Sequence, residues 1–549
     1  MKKSLLLLAS LFTSLAQAQT FEYLDINQVK ARVNSGGDLH FDPTNGSGSY
    51  ECPIGSGKNY GGPTSLWIGG VDISGQLKLA GQTYHQSGVD YYPGPLSTFD
   101  ASITSTTVAQ YNKVWKINKS DIDAFLVNVA NGNLQNGTYT IPNSILNWPG
   151  NGDISQNQDA LLAPFVDVNG DNLYSPTAGD YPLIKGDQAI FTIFNDNYLP
   201  HQGSGGASIG LEIRLMAYAY GTGTIVANNP YLNYTTFYNY TVINRSISAL
   251  PNAYIGLFND NDIASYTDDY TGCSVSKAYA YTCSNPTVTA NNPVIGIAQT
   301  KGPLNTNNGI DDNGNGQIDE AWEQMSMTNF MYFNNSFPGI PLSQNDPSNA
   351  TEYYQYMKSI WKDGTSLTCG GNGYGGSLPV SFAYPANTYS AGPCGVTPWS
   401  ESGAGSDKKF VMSSGPFTFQ PGAVEVVEYA YITSYDSITH NPLGNLDNAV
   451  QSLRLTNNSS TTGIKENKTD NSFTLYPNPT RDILTIQINQ TTRSNVKIEI
   501  IDVVGKIILS QDYKDFSKVA FDVSALSSGI YFAKINSDKK PSTIKFIKE

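Results

Sequence analysis

Between residues 483 and 523, apolar side chains recur at every second position. Leu484, Ile486 and Ile488 alternate with Thr485 and Gln487, then Val496, Ile498 and Ile500 with Lys497 and Glu499, then Val519, Phe521 and Val523 with Ala520 and Asp522. A helix gathers one face from positions three and four apart, whereas a strand sends successive side chains to opposite faces. Strict alternation therefore predicts strands with one buried face. Asp502-Val503-Val504-Gly505-Lys506 reads as a hairpin loop, because Gly505 adopts positive φ without steric cost. Six or seven such strands in about eighty residues fit a small sandwich with alternating inward side chains.

Several elements of this tail stand in a characteristic order. They are Gly463-Ile464-Lys465-Glu466-Asn467, the box Leu475-Tyr476-Pro477-Asn478-Pro479-Thr480, Asp502 through Gly505-Lys506, Leu526-Ser527-Ser528-Gly529-Ile530-Tyr531, and a basic final strand from Ile544 to Lys548. Over roughly residues 464–549 the chain resembles the type A C-terminal sorting domain of Bacteroidota type IX secretion substrates, an immunoglobulin-like β-sandwich. The resemblance implies export across the inner membrane with a cleaved signal peptide and across the outer membrane through a dedicated translocon. It also implies a sortase-like peptidase that removes the tail and often joins the passenger to surface lipopolysaccharide. The expected location is secreted or on the outer cell surface.

The amino-terminal end agrees. Lys2 and Lys3 precede the apolar run Leu5 to Leu8, and Ala16-Gln17-Ala18 has the small-residue pattern of a signal-peptide cleavage site. The expected division is a signal peptide over 1–18, a β-rich passenger over 19–456, a polar linker over 457–471 and the sorting domain over 472–549. No later stretch approaches the roughly twenty apolar residues of a membrane-spanning helix.

Composition suits a mainly β protein: 51 Gly and 29 Pro with only 14% charged residues leave little helix signal. Residues 464–549 hold 13 Lys+Arg against 10 Asp+Glu, so the remainder holds 19 against 36. An acidic passenger disfavours nucleic acid as a partner and favours cations or plain solubility. Cys273 and Cys283, and Cys369 and Cys394, are each spaced to close a local disulfide in an oxidising compartment. Cys52 is then either a buried free thiol or a sign that the pairings differ.

Within the passenger, β-branched and aromatic runs predict strands over Ala189–Phe194, Ile209–Tyr220, Tyr234–Ile243 and Ala423–Thr433. Apolar residues at three-to-four spacing predict a helix from Glu352 to Lys362, and a second helix is expected from Gly444 to Leu455. The segments Ser65-Leu66-Trp67-Ile68-Gly69-Gly70, Tyr91-Tyr92-Pro93-Gly94-Pro95-Leu96, Gly179-Asp180-Tyr181-Pro182 and Ser413-Ser414-Gly415-Pro416-Phe417 are similar to those of uncharacterised Bacteroidota surface proteins with this tail. They suggest one integrated β-rich, sandwich-like module.

Two acidic loops carry metal-ligand spacing. Asp311, Asn313 and Asn315 place oxygens at positions one, three and five, with Gly316 at six, and the Gln317 carbonyl with Asp319, Glu320 or Glu323 completes a calcium shell. Position twelve is Trp322 where an EF-hand has Glu, so the loop is closer to the shorter calcium loops of extracellular modules. Asp167, Asn169 and Asp171 repeat the spacing with Asn172 in place of Gly, and Asp180 closes the shell. A third cluster, Asp260-Asn261-Asp262 with Asp268-Asp269, has acidic density but no fixed spacing. For each loop the alternative is an Asx-turn without metal.

Catalytic signatures are sparse. His40, His85, His201 and His440 form no zinc motif. Gly206-Ala207-Ser208-Ile209-Gly210 matches a serine-hydrolase pattern in the wrong context, since a strand rather than a helix follows. A glycosidase needs only two acids across a cleft, which sequence does not locate. The reading is a non-enzymatic, calcium-stabilised adhesion or matrix component, with a secreted carbohydrate-active or other hydrolytic enzyme as the alternative. An open cleft holding two carboxylates with perturbed pKa favours the enzyme; acids confined to compact loops favour the structural protein.

Overall fold

Leu211–Ala219 forms a strand whose Leu211, Ile213, Leu215, Ala217 and Ala219 enter one core while Met216 and Tyr218 enter another. A strand apolar on both sides has to be covered on both sides. In the computed structural model it lies inside a nine-stranded antiparallel sheet. That model describes residues 20–548 except 264, 285–291, 305–322, 387–393, 395–398, 403–404, 436–440, 460–472, 477–479, 489–494, 502–506, 515–517, 528 and 538–541. The hairpin loop at 502–506, most of the Tyr-Pro-Asn-Pro box and the proposed signal peptide fall outside the described residues.

The chain divides into two units, the first ending at Leu455 and the second running from Thr456 to Glu549. In the first, the nine-stranded sheet runs in the order Asp269–Ser274, Tyr279–Ser284, Val294–Lys301, Val424–Ser434, Thr235–Asn244, Leu211–Ala219, Gln188–Asn195, with Tyr92–Pro93 and Trp115–Asn118 both pairing on the last. A five-stranded sheet runs Asn329–Asn334, Lys408–Phe419, Leu250–Asn259, Thr64–Val71, Leu77–Ala80. Their facing side chains, among them Tyr238, Tyr240, Tyr429 and Tyr431 from one sheet and Leu66, Ile68, Ile255 and Leu257 from the other, form a common core. The predicted sandwich-like passenger is thus two packed antiparallel sheets.

Helices cover the outer faces. Leu446, Ala449, Val450 and Leu453 of Pro442–Ser459 join the second core of the large sheet, together with Ile122 and Phe125 of Lys119–Ala130. At Gly296 an added Cβ would stand 2.3 Å from Leu446 Cδ1, so glycine lets the 442–459 helix approach the strand. On the smaller sheet, Trp67 stacks on Phe258 with centroids 5.2 Å apart, and Tyr353 and Tyr356 of the Ala350–Met357 helix pack beside them.

The predicted strands in the passenger stand within two residues of where their β-branched and aromatic content put them. The helix expected to reach Lys362 stops at Met357, because Ser359 takes φ +56 and Ile360 bridges back to Ser366. Ser105–Tyr111, Lys119–Ala130 and Asn143–Leu146 are helices that the sequence reading did not anticipate. Lys119–Ala130 buries only Ile122 and Phe125, which is too thin a stripe to register as a period.

One cysteine pairing holds and one does not. Cys369 and Cys394 are bonded, while Cys52, Cys273 and Cys283 are free and buried. Cys273 and Cys283 do lie on neighbouring strands, but Cys273 stands opposite Ala280 and Cys283 opposite Tyr270. Residues three apart along a strand point to opposite faces, so Cys273 enters the core between the sheets and Cys283 enters the helix-covered core. Burial pushes the Cys52 thiol up to about 11, which leaves it unreactive.

Among the described residues the second unit has seven strands in two sheets, Phe473–Tyr476, Ile483–Ile488 and Lys518–Asp522 in one and Asn495–Ile501, Ile507–Lys514, Gly529–Ser537 and Ser542–Lys548 in the other. Leu484, Ile486, Val496, Ile498, Ile500, Phe521 and Val523 all enter its core, as the alternation predicts.

Candidate functional sites in the passenger

Phe165–Val166 pairs with Tyr181–Pro182, with Val166 opposite Tyr181. The next rung sets Asp167 beside Asp180, and the intervening loop folds Asp171 back toward them. One carboxylate oxygen from each of Asp167, Asp171 and Asp180 lies within 4.8 Å of the others. The loop is built by its own acids: Asp167 accepts the Gly170 and Asn172 amides at 2.7 Å each, and Asp180 accepts the Val168 amide at 2.9 Å and the Ser175 amide at 2.8 Å. Asn172 takes φ +60, the left-handed conformation required where Gly is usual. Asn169 Oδ1 accepts the Asp171 amide and its Nδ2 donates to Asp171 Oδ2, so its side chain braces the loop. An ionised carboxylate offers about four lone-pair directions, and one or two amides per aspartate leave capacity for a hard cation. The donor set of Asp167, Asp171 and Asp180 thus fits a metal ion. The loop from Asp311 to Glu320 lies outside the described residues.

A second place was not legible as a unit in the sequence. Four strands of the five-stranded sheet end together: Leu250–Asn259 and Asn329–Asn334 finish where Thr64–Val71 and Lys408–Phe419 begin, with Asn259 opposite both Thr64 and Phe410 and Asn334 opposite Lys408. The segments beyond those ends, joined by 83–88 and 345–353, enclose a cleft of about 670 Å³. Asp260, Asp262, Asp346 and Asp407 line it with Lys362 and Lys409. Lys409 Nζ pairs with Asp346 at 2.6 Å, and Lys362 Nζ reaches Glu352 at 3.2 Å. The Tyr84 hydroxyl donates to Asp260 Oδ2, whereas buried Asp260 Oδ1 has no partner among the described residues. Burial, then the charges of Asp262 and Asp407, push Asp260 up to about 7 against the opposing pull of Lys409 and Tyr84. Asp262, which keeps solvent access, is pushed up to about 6 by partial burial and Asp407. Tyr266 and Phe337 stand at the cleft 53% and 45% exposed, with ring centroids 6.5 Å apart.

The histidines described are structural. His40 bonds the Tyr238 hydroxyl at 2.6 Å, and His201 lies between the Leu79 and Asp196 carbonyls at 2.7 Å each. His85 lines the cleft and pairs with Asp38 at 3.1 Å; that carboxylate raises its pKa against the larger single effect of burial. Ser208 precedes the Leu211–Ala219 strand, so the Gly-x-Ser-x-Gly match has no nucleophile elbow.

A β-rich unit followed by a separate seven-stranded sandwich is the build of an exported passenger with a carboxy-terminal address. Residues 474–549 match the family described as "Secretion system C-terminal sorting domain". The address is that of type IX secretion, so the protein engages that machinery and is secreted or displayed at the cell surface. No curated protein matches the chain. Among solved structures, a DUF3244 family protein with an immunoglobulin-like β-sandwich fold from Bacteroides vulgatus is 18% identical, covering 14% of this chain and 85% of that one at a TM-score of 0.13. A polysaccharide lyase is 7% identical over 61% of this chain and 34% of its own, with a TM-score of 0.17. The BSP domain of a biofilm associated protein is 9% identical over 97% and 81%, with a TM-score of 0.13. At these scores the likenesses bear on no activity.

Proposed function

We propose that the type IX machinery delivers residues 19–456 to the outer surface, where a sortase-like peptidase removes 472–549 and the passenger is joined to lipopolysaccharide or released. There it acts as a non-enzymatic adhesion or matrix component stabilised by calcium. The observation that carries the calcium assignment is the convergence of Asp167, Asp171 and Asp180 on one point of a loop braced by its own backbone. Hard oxygen donors of this kind suit calcium better than softer metals. Unfolding of the full chain with calcium and with chelator tests it: calcium raises the melting temperature, and identical curves would remove the ion from the account. Fractionation with and without the tail tests the route, with retention of the tailless protein in the periplasm as the expected result.

One observation favours a second reading, a hydrolytic enzyme. Asp260 stands in an open cleft with raised pKa, as a general acid requires, and Asp262, which keeps solvent access, lines the same cleft as its candidate partner. Turnover of a polysaccharide or peptide that disappears in Asp260→Asn would establish it.

A further inference from the structure

The cleft combines features that neither the calcium loop nor the sorting domain needs. Its volume of about 670 Å³ falls within the roughly 300–1,000 Å³ range of small-ligand sites. Most of its wall is polar, from Asp, Asn, Ser and Lys side chains, yet two aromatic rings stand exposed in it. Tyr266 and Phe337 lie on segments 71 positions apart in sequence that follow the two strands flanking Lys408–Phe419, and their rings are tilted by 34°. Paired rings above hydrogen-bonding groups match the surface of a sugar, which has apolar C–H faces and a rim of hydroxyls.

The hydrogen-bonding groups have the right sense. Sugar hydroxyls donate to carboxylates and accept from amides and ammonium groups. Among the described residues Asp260 Oδ1 is an acceptor without a partner, on a side chain only 7% exposed, and Asp260 lines the cleft. An unmet buried acceptor costs free energy until a donor arrives. Asn335 Nδ2 already donates to Asp407 Oδ2 at 2.9 Å, which leaves the other Asp407 oxygen for a ligand. Charge sets the remaining choice. Four aspartates face Lys409, Lys362 and His85, and all three are engaged, Lys409 by Asp346, Lys362 by Glu352 and His85 by Asp38. Uronic or sulfated chains would meet uncompensated carboxylates.

We propose that this cleft binds a carbohydrate chain that is neutral or carries amino groups, with Tyr266 and Phe337 as its stacking platform and Asp260, Asp262 and Asp407 as acceptors for its hydroxyls. The assignment rests on the passenger being a surface ligand-binding protein and names its ligand class; it is independent of calcium in the 167–180 loop.

Calorimetric titration of the full chain with purified cello-, xylo-, manno-, chito- and chitosan oligosaccharides, beside alginate and polygalacturonate oligosaccharides and a lysine-rich peptide, tests it. A neutral or amino-bearing series binds, and Tyr266→Ala with Phe337→Ala weakens it about tenfold or more, as for loss of two aromatic contacts at a binding site. Both rings are exposed, so the melting temperature of that double variant stays put. Asp262→Asn, also at a solvent-accessible position, weakens the same ligand and supplies an independent variant. Binding by no sugar, by anionic chains alone or by the peptide alone overturns the assignment, as does sugar binding indifferent to all three substitutions. Chelator that lowers stability while sugar binding fails would spare the calcium assignment and remove this one.

Discussion

Replacing Asp180 by alanine removes both acceptors that hold the acidic loop against its strand pair. Asp180 is fully buried, with Oδ1 on the Val168 amide at 2.9 Å and Oδ2 on the Ser175 amide at 2.8 Å. A fully buried donor left without an acceptor costs about 1–3 kcal/mol. Both bonds are half-buried and water reaches part of each amide, so losing the two costs about 2 kcal/mol with no cation present. Asp180→Asn keeps the shape and one acceptor while turning a donor toward the other amide, so it loses about 1 kcal/mol. Calcium separates this cost from ligation. At a calcium concentration 100-fold above Kd, the wild type gains about 2.7 kcal/mol by mass action, and the alanine variant, missing one of three carboxylates, gains much less. Urea unfolding of the full chain followed by tryptophan fluorescence reads both quantities, because all six tryptophans lie before residue 456 and report on the passenger alone. A loss below about 1 kcal/mol in chelator refutes the hydrogen-bond account. An alanine variant that gains as much from calcium as the wild type refutes the cation account.

Three further outcomes are expected. Asp260, pushed up to about 7, holds its proton to higher pH than an unfolded aspartate near about 3.9. The folded chain therefore binds more protons across that window, and stability falls as pH rises from about 4 to about 7. Asp260→Asn flattens this slope in a urea series over pH, and an unchanged slope places the titration elsewhere. Cys369→Ser opens a loop of 25 residues and lowers stability by about 3.5 kcal/mol on the chain-entropy relation; alkylation of the native wild type should leave Cys52, Cys273 and Cys283 unmodified until it is unfolded. Trp67→Ala removes a fully buried indole stacked on Phe258 and costs about 3–5 kcal/mol by urea unfolding.

Why the two places differed in legibility is a matter of chain distance. Asp167, Asp171 and Asp180 sit within one hairpin, so their spacing in sequence is nearly their spacing in space, and a ligand pattern could be written before any fold was known. Asn169 shows the limit even there: the spacing does not say that its side chain also braces the loop. Cys273 and Cys283 show the same limit from the other side, since closeness in sequence says nothing of which face each residue takes until the register is fixed. The tail was the easiest case because one buried face per strand writes itself as alternation. The large sheet is apolar on both faces, so its strands were legible by composition, and their order was not.

The cleft lies beyond both kinds of reading. Asp260, Asp262 and Tyr266 come from one segment, Phe337 and Asp346 from two others, and Asp407 and Lys409 from a fourth. What joins them is that neighbouring strands of one sheet start and stop on the same rung, a property of pairing rather than of any local pattern. The sequence did carry a trace of it, in the density of acids from Asp260 to Asp269 without ligand spacing. Acids crowded together without a shared cation raise one another's pKa and lower stability near neutral pH. Four acids at the mouth of a sheet, beside exposed aromatic rings, suit a ligand that donates hydrogen bonds there, since packing alone is met more cheaply by apolar residues.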